Sequence, residues 1–260
     1  MSALLLSLTL GLAVAADSVA TIDNVPTWAE DIHADAENVW STNPEAADMA
    51  WQAQPGKTRA GFLRYSGPVV NDADLMVVLA YRLVHGHDES EVRVALAESL
   101  WRTGGDWGTL GIRILAEESD PLVREVLVDT LRHASDVDIL PSLESAAADE
   151  NADVRAAAMR ALGRTDGSAA YAHVILAGLG DDSTEVRGFA ARSAGWMGID
   201  ESWDLLVGLL EDPHPETRLK SLRALEDLNA DQLATLPQLV TLERDADHRV
   251  SRAASKIRSN

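Results

Sequence analysis

Two histidines give this sequence its tightest grouping of metal-ligating side chains. They lie in His85-Gly86-His87-Asp88, and two imidazoles this close together in a turn can chelate a transition metal. No third ligand stands at a defined spacing from the pair, and the other histidines are scattered. We therefore interpret the pair as a solvated turn, keep a metal site as the alternative, and predict that the protein uses no metal and no cofactor.

The chain lacks the motifs of the common nucleophilic and nucleotide-dependent enzymes. It contains no Cys, which removes thiolate nucleophiles, disulfides and thiolate metal sites together. G-x-S-x-G, H-E-x-x-H, P-loop and dinucleotide-binding patterns are also missing from the sequence. A Ser-His-Asp triad would have to assemble from distant segments, and no residue points to one. The sequence therefore predicts no catalytic residues and no enzymatic activity.

Tryptophan side chains are the best candidates for contacts with a partner. Trp is enriched at the energetic centres of protein interfaces, because a large amphipathic ring contributes much contact area. The alternative is that these rings pack in the core or in turns. The candidate partner-binding residues are Trp101, Trp107, Trp196 and Trp203.

Charge narrows the class of partner. The chain has 42 acidic and 22 basic residues, which gives a net charge of −20 at pH 7. Such a surface repels nucleic acid phosphates and anionic lipid headgroups at long range. We predict no nucleic acid partner and favour a protein partner, which the charge suggests is basic. High negative charge that merely keeps the protein soluble is the alternative.

The elements that would position these residues repeat along the chain. A Val-Arg pair recurs at intervals of 31 or 32 residues, and a fainter copy, Thr58-Arg59, precedes it. Fixed spacing over this many copies is typical of stacked repeats. The copies are Val92-Arg93, Val123-Arg124, Val154-Arg155, Val186-Arg187 and the degenerate Thr217-Arg218, with a last unit near Val250.

Each Val-Arg pair opens a predicted helix. In the copy from Val154 to Leu162, apolar residues recur with helical spacing, and a polar break and a second apolar helix follow. The residues three positions before the valines are favoured N-caps, and Pro121 and Pro215 suit a first helical turn. The predicted N-caps are Asp120, Asn151, Ser183 and Asp247.

Two helices in about 31 residues cannot bury their own apolar faces, so neighbouring units must cover one another. The sequence therefore predicts an all-α fold: a right-handed α-α superhelix, or HEAT/armadillo-like solenoid, of about six two-helix repeats. We expect the second helices to line its inner face.

The pattern D-x-x-V-R-x-x-A-x-x-A-L, present over 120–131 and 151–162, resembles the short HEAT repeats of the phycobilisome-lyase (E/Z lyase) type. The resemblance covers residues 57–260. It implies that the arginine of each pair joins acidic residues of adjacent repeats in a buried or half-buried structural ladder. By this likeness the ladder residues are Arg93, Arg124, Arg155, Arg187 and Arg218. The family includes pigment lyases, scaffold subunits and exported proteins.

Acidic residues cluster at the turns between repeats, for instance Glu118, Asp149 and Asp181. We interpret them as helix caps that complement the N-terminal helix dipoles. The alternative is a continuous negative stripe that attracts a basic partner or Ca²⁺-like cations, although no EF-hand spacing is present.

The two ends of the chain differ from the repeats. Residues 1–16 are apolar, end in small residues and precede Asp17, which is typical of a signal peptide; a buried helix is the alternative. Residues 17–56 are predicted to form an acidic, Trp-containing N-terminal cap; a partner-binding hook is the alternative. The solenoid over 57–260 ends in a basic helix, which we interpret as a polar cap rather than a head-to-tail contact between copies.

These observations predict an exported, periplasmic or extracellular protein that does not insert into the membrane after signal removal. Its predicted function is a non-enzymatic scaffold or adaptor that binds a protein through its repeat surface. The alternative is a lyase-like or other enzyme-accessory protein that holds a small cofactor in the concave groove.

Overall fold

A computed structural model of the chain describes Leu83, residues 89–101 and residues 107–259. The predicted signal peptide, the N-terminal cap, the faint first repeat and the His85/His87 pair lie outside these residues, so those predictions stay predictions.

Within the described part, the chain divides into two compact units, which meet at Ile139 and Leu140 in the sequence. The first unit contains α1 to α3 and the second α4 to α11. Their bounds are α1 Ser90–Leu100, α2 Trp107–Glu117, α3 Pro121–Leu131, α4 Leu140–Ala146, α5 Ala152–Leu162, α6 Ala172–Gly178, α7 Thr184–Met197, α8 Trp203–Gly208, α9 Pro215–Ala234, α10 Gln238–Leu242 and α11 His248–Ser259. Short 3-10 helices span Ser168–Tyr171, Asp200–Ser202 and Leu209–Glu211.

These helices repeat as pairs. In the second unit the first helices α5, α7, α9 and α11 pack side by side in that order, and each second helix packs on a first helix that follows it. In the first unit α3 packs on both α1 and α2. No strand occurs among the described residues. The predicted all-α solenoid class is therefore confirmed.

The buried core follows the repeat register. The valine of every described Val-Arg pair has no exposed surface, and Thr217, which replaces it in the degenerate copy, is 1% exposed. The position four residues later is also buried in every copy, where it holds Leu96, Leu127, Ala158, Ala190, Ser221 and Ala254. A fully buried aliphatic side chain contributes about 1.5–3 kcal/mol relative to an exposed one, so this register specifies the stacking.

Three of the four predicted N-caps act as expected, and the Asp247 side chain accepts the N–H of Arg249 at 2.8 Å. The Asp120 side chain accepts the N–H of Leu122, and that of Asn151 accepts the N–H groups of Asp153 and Val154. Ser183 stands at the N-cap position, but its hydroxyl makes no capping hydrogen bond. At that turn Asp181 Oδ1 instead accepts the Ser183 N–H at 2.8 Å.

Close approach of the first helices depends on glycine. A Cβ built on Gly195 of α7 would lie 2.7 Å from the Cα of Ala224 in α9, which is backbone and cannot rotate away.

Helix α9 is interrupted, because Asn229 has non-helical backbone angles (φ −161°, ψ 93°) and its side chain accepts the Gln232 N–H. No described helix has the length and apolarity to span a membrane.

Candidate protein-binding surface

The arginine of each Val-Arg pair donates hydrogen bonds to the turn that precedes its own helix and to the turn of the next repeat. In the second unit the Nη1 atom of each such arginine donates to the two carbonyls five and six residues before it, over distances of 2.8 to 3.1 Å. The Nε atom of each donates to an aspartate of the following turn, at 2.7 to 2.8 Å. The three pairs are Arg155–Asp181, Arg187–Asp212 and Arg218–Asp245.

Each aspartate of these pairs also shapes its own turn. Oδ2 of each accepts the arginine Nε–H of the preceding repeat, and Oδ1 accepts the backbone N–H two residues later at 2.8 Å. In Asp181 and Asp245, Oδ1 also accepts from the arginine Nη2, so these two pairs are bidentate. The arginine hydrogen bonds hold the pKa of Asp181 and that of Asp245 below their usual values, although burial acts in the opposite direction. The same bonds raise the pKa of Arg155 and that of Arg218. The Arg155–Asp181 and Arg218–Asp245 pairs are therefore ionised at neutral pH.

The first unit shows the same arrangement with Glu118 in place of the aspartate. Arg93 Nη2 donates to Glu118 Oε2 at 2.5 Å, and Glu118 Oε1 accepts the Asp120 N–H at 2.8 Å. Arg124 donates to the carbonyls of Glu118 and Ser119 in its own turn. Ser251 stands where the next arginine of the second unit would fall, so Asp245 is the last acid that an arginine of this register holds.

These contacts bear on the predicted negative stripe. The acids Glu118, Asp181, Asp212 and Asp245 are each neutralised by an arginine. The described turns are therefore less negative than their sequence suggests, which favours a structural role for these acids.

The four candidate tryptophans have different environments. In the first unit Trp107 is 3% exposed, and Trp101 is half-buried and stacks on His133 with ring centroids 4.3 Å apart. In the second unit Trp203 is half-buried, whereas Trp196 is 41% exposed. Trp196 is therefore the candidate with the largest accessible ring.

Two arginines hold the Trp196 ring. The guanidinium carbons of Arg164 and Arg192 lie 5.1 Å and 4.7 Å from the ring centroid. These distances are within the range of a cation–π attraction. Arg192 also pairs with Asp227 of α9 at 2.5 Å. The ring thus contacts two guanidinium groups, one of which is itself paired with a carboxylate.

A second aromatic ring lies two helical turns earlier on the same face of α7. The ammonium of Lys220 is 3.8 Å from the Phe189 ring centroid, and the Arg160 guanidinium is 5.1 Å from it. Partial burial lowers the pKa of Lys220, although Glu216 and Glu185 act in the opposite direction. We name the surface formed by Arg160, Arg164, Phe189, Arg192, Trp196, Lys220 and Arg223 the cation–aromatic surface.

Three cations of this surface, Arg160, Arg192 and Arg223, occupy the same position of successive repeats. The sequence analysis compared the repeats at their apolar and capping positions and did not compare this charged one. The residue six positions after the Val-Arg valine is acidic in the first unit, at Glu98 and Asp129. In the second unit the same position is basic in every repeat. We call these four residues the basic row: Arg160, Arg192, Arg223 and Lys256. Alignment of the copies by their valines would have revealed it.

The second helices expose a different kind of surface. Leu205 of α8 and Val240 of α10 are 49% and 47% exposed, and both side chains are aliphatic. Across the described ranges, no group of three or more His, Asp or Glu side chains is placed to hold a metal ion.

The comparison with protein families agrees with this architecture. The model of the family described as HEAT repeats matches residues 111–175 and 172–257. No curated protein matches the chain. Two solved structures resemble it over most of their length, with low identity. One is a crystal structure of an engineered protein, at 17% identity and a TM-score of 0.41, and the match covers 88% of this chain and 97% of that one. The other is human deoxyhypusine hydroxylase in complex with glycerol, at 16% identity and a TM-score of 0.39, and the match covers 98% of this chain and 96% of that one. The predicted lyase-type subgroup stays a prediction.

Proposed function

Because this chain belongs to the HEAT-repeat family, we propose that it is a non-enzymatic, exported scaffold that binds a protein partner through its repeat surface. A stack of two-helix repeats presents a long, regular surface, and this is the usual way in which such solenoids recognise partners.

The observation that carries the proposal is the state of Trp196. Trp196 of first helix α7 is 41% exposed, and the guanidinium carbons of Arg164 and Arg192 lie 5.1 Å and 4.7 Å from its ring centroid. A pre-ordered ring loses little conformational entropy on binding, and Trp and Arg are the residue types most enriched among interface anchors. The cation–aromatic surface is therefore the proposed binding site.

The remaining parts of the proposal depend on the sequence. Export is supported by the apolar residues 1–16 with their small C-terminal residues, and cleavage is expected after Ala15 or Ala16. Mass spectrometry of the N-terminus of the protein from fractionated cells tests this part. A non-enzymatic role is supported by the lack of catalytic motifs in the sequence.

A quantitative pull-down tests the binding site. The full chain and three variants, Trp196→Ala, Leu205→Ala and Val240→Ala, are immobilised and exposed to the native envelope fraction. Leu205 and Val240 are matched controls, because each is an exposed apolar residue of a second helix in the same unit. We expect a partner that Trp196→Ala loses by about tenfold or more, as for an interface anchor, and that both controls retain.

The outcomes separate the parts of the proposal. Loss with Leu205→Ala or Val240→Ala, but not with Trp196→Ala, would move the binding site to the second helices. If the wild type and all three variants capture a protein equally, the scaffold function is contradicted. Recovery of a bound chromophore or metabolite in place of a protein contradicts it as well. A partner that high salt releases from every variant alike is held by the net charge of −20, as the predicted basic partner would be.

A further inference from the structure

The Trp196 ring has two cationic neighbours, and only one of them has a counterion among the described residues. The guanidinium carbon of Arg192 lies 4.7 Å from the ring centroid, and this arginine pairs with Asp227. The guanidinium carbon of Arg164 lies 5.1 Å from the centroid. Arg164 is exposed, and no described carboxylate lies within 4.0 Å of it. An unpaired positive charge therefore stands beside an exposed apolar ring.

Both groups lie at the C-terminal ends of neighbouring first helices. Arg164 follows α5, Trp196 belongs to the last turn of α7, and these two helices pack against each other. The helix dipole favours a cation at a C-terminus, which accounts for the position of Arg164. It does not account for Trp196, whose ring is 41% exposed. Covering this ring would remove apolar surface from water, which favours contact with an apolar group of a partner.

Contact with the ring leaves the donors of Arg164 able to bind. A guanidinium carries five N–H donors at the edge of its plane, and its face can rest on an aromatic ring at the same time. Within the described part of the chain, the Arg164 side chain donates no hydrogen bond. The group that matches this edge is a carboxylate, which accepts two parallel N–H bonds.

The contact distances limit how far apart the two groups of a partner can be. A carboxylate oxygen lies about 2.7–2.9 Å from the guanidinium nitrogen that donates to it, so a carboxylate bound by Arg164 lies within about 9 Å of the Trp196 ring centroid. The Cα atoms of consecutive residues are about 3.8 Å apart. An acidic residue and a large apolar residue next to it can therefore reach the arginine and the ring together.

The charge around Trp196 differs in sign from that of the whole chain. The chain has a net charge of −20, whereas the ring contacts two guanidinium groups that share one described carboxylate. Salt at physiological concentration screens interactions between exposed charges over about 8 Å, so distant carboxylates repel an acidic group only weakly. An acidic group of a partner is therefore attracted at contact by Arg164.

We propose that Trp196 and Arg164 bind an acidic–apolar residue pair of a partner protein. The carboxylate of an Asp or Glu accepts hydrogen bonds from the Arg164 guanidinium, and the adjacent large apolar side chain covers the Trp196 ring. Arg192 keeps its pair with Asp227 and takes no part in binding the carboxylate. The inference rests on the proposed function, because it states the chemistry of the partner segment for the same surface.

Nuclear magnetic resonance of the full chain, with nitrogen-labelled tryptophan side chains, tests the proposal. The chain has seven Trp, and the spectrum of Trp196→Phe identifies the Trp196 indole signal. The probe is the blocked dipeptide acetyl-Phe-Glu-amide at millimolar concentrations. Three control dipeptides carry Gln or Lys in place of Glu, or Ala in place of Phe. We expect a saturable shift of the Trp196 signal with the probe and at least about threefold weaker binding of each control, which is the size of an exposed ion pair or a small apolar contact.

A charge-removing variant tests the role of the arginine. Arg164→Gln should reduce the affinity for the Phe-Glu probe to that for the Phe-Gln control, and should leave the affinity for Phe-Gln within about twofold. Arg244→Gln is the matched control, because it makes the same change at an exposed arginine in the turn after α10. It should retain the preference for Glu over Gln. The indole signals of the other Trp residues show whether each variant is folded.

Three results would overturn the proposal: no shift of the Trp196 signal with the probe, equal affinities for Phe-Glu and Phe-Gln, or the same loss with Arg244→Gln as with Arg164→Gln. Tighter binding of an oligothymidylate, titrated in the same way, would also overturn it and indicate single-stranded nucleic acid, whose bases stack on aromatic rings.

The dipeptides and the pull-down together separate the two proposals. If the dipeptides fail while the pull-down partner depends on Trp196, the inference about the acidic–apolar pair is wrong and the scaffold function stands. If the dipeptides fail and no partner depends on Trp196, the binding site itself is wrong.

Discussion

One carboxylate oxygen of Asp212 accepts a hydrogen bond from Arg187 Nε, and the other accepts one from the backbone N–H of His214, each with a distance of 2.8 Å. The Asp212 side chain is 3% exposed and that of Arg187 14% exposed. The same carboxylate thus fixes the turn before α9 and the contact between α9 and the repeat before it.

Removal of one partner of this pair should destabilise the protein. Arg187→Ala leaves a nearly buried carboxylate without its countercharge, so we expect a loss of about 2–4 kcal/mol in the free energy of unfolding. Arg244→Ala, at an exposed arginine, should change it by less than about 0.5 kcal/mol. Urea denaturation measures both. Equal effects of the two substitutions would mean that the ladder contributes nothing to stability.

Two buried serines on neighbouring helices should respond in opposite ways to substitution by alanine. Ser193 of α7 donates to the carbonyl of Met159 at 2.8 Å, whereas the Ser221 hydroxyl of α9 has no hydrogen-bond partner within the described residues. Ser193→Ala should therefore destabilise by about 1 kcal/mol, and Ser221→Ala should be neutral or stabilise by about 1 kcal/mol. Thermal or urea unfolding compares them. Destabilisation by Ser221→Ala would show that its hydroxyl has a partner after all.

A pair of glycines tests the close approach of α7 and α9. Gly195→Ala places a methyl group 2.7 Å from the Ala224 Cα, so the helices must move apart, at a cost of about 1–3 kcal/mol. Gly208→Ala is the control, because a Cβ there meets nothing within 4 Å and its φ is not positive. It should leave stability unchanged or raise it by up to about 1 kcal/mol. If both substitutions are tolerated alike, the two helices do not pack at the distance described.

Acid should weaken the arginine ladder. The pKa of Asp181 and that of Asp245 are lowered in the folded protein, chiefly by hydrogen bonds from Arg155 and Arg218. A carboxylate with a depressed folded pKa stabilises the protein above its unfolded pKa, and this contribution is lost as the pH falls through the folded pKa. Between about pH 5 and pH 2, the Asp181→Asn variant should therefore lose less stability than the wild type. Parallel curves for the two proteins, from urea denaturation at each pH, would contradict the assignment.

The sequence predicted the fold because the burial pattern repeats with it. The valine of each Val-Arg pair is buried wherever the structure describes it, so one register specifies the packing of the repeats within each unit. The family resemblance pointed to the ladder arginines. Their partners were harder to predict, since the acid lies in the next turn, 25 to 27 residues away.

The candidate site was only partly predictable. Trp196 was among four candidates, and its surroundings include Arg164 of the preceding repeat, together with Arg192, which pairs with Asp227 of the following one. Ser183 illustrates a similar limit, because a residue of the right type stands at the N-cap while the preceding Asp181 takes over the turn. Both outcomes depend on contacts between repeats, which a single helix pattern does not contain.

The spacing within the ladder shows where the chain can change length. From the acid of a turn to the arginine that follows it, the interval is six residues at Glu118–Arg124, Asp149–Arg155, Asp181–Arg187 and Asp212–Arg218. The interval from each arginine to the next acid varies between 25 and 27 residues. Guest segments or affinity tags should therefore be spliced between the two helices of a repeat, for example at Gly167, whose backbone is left-handed and whose Cβ position is open. A single residue added inside a six-residue turn would shift the arginine relative to the acid of that turn. The contacts of the turn with its own helix and with the preceding repeat would then be lost together.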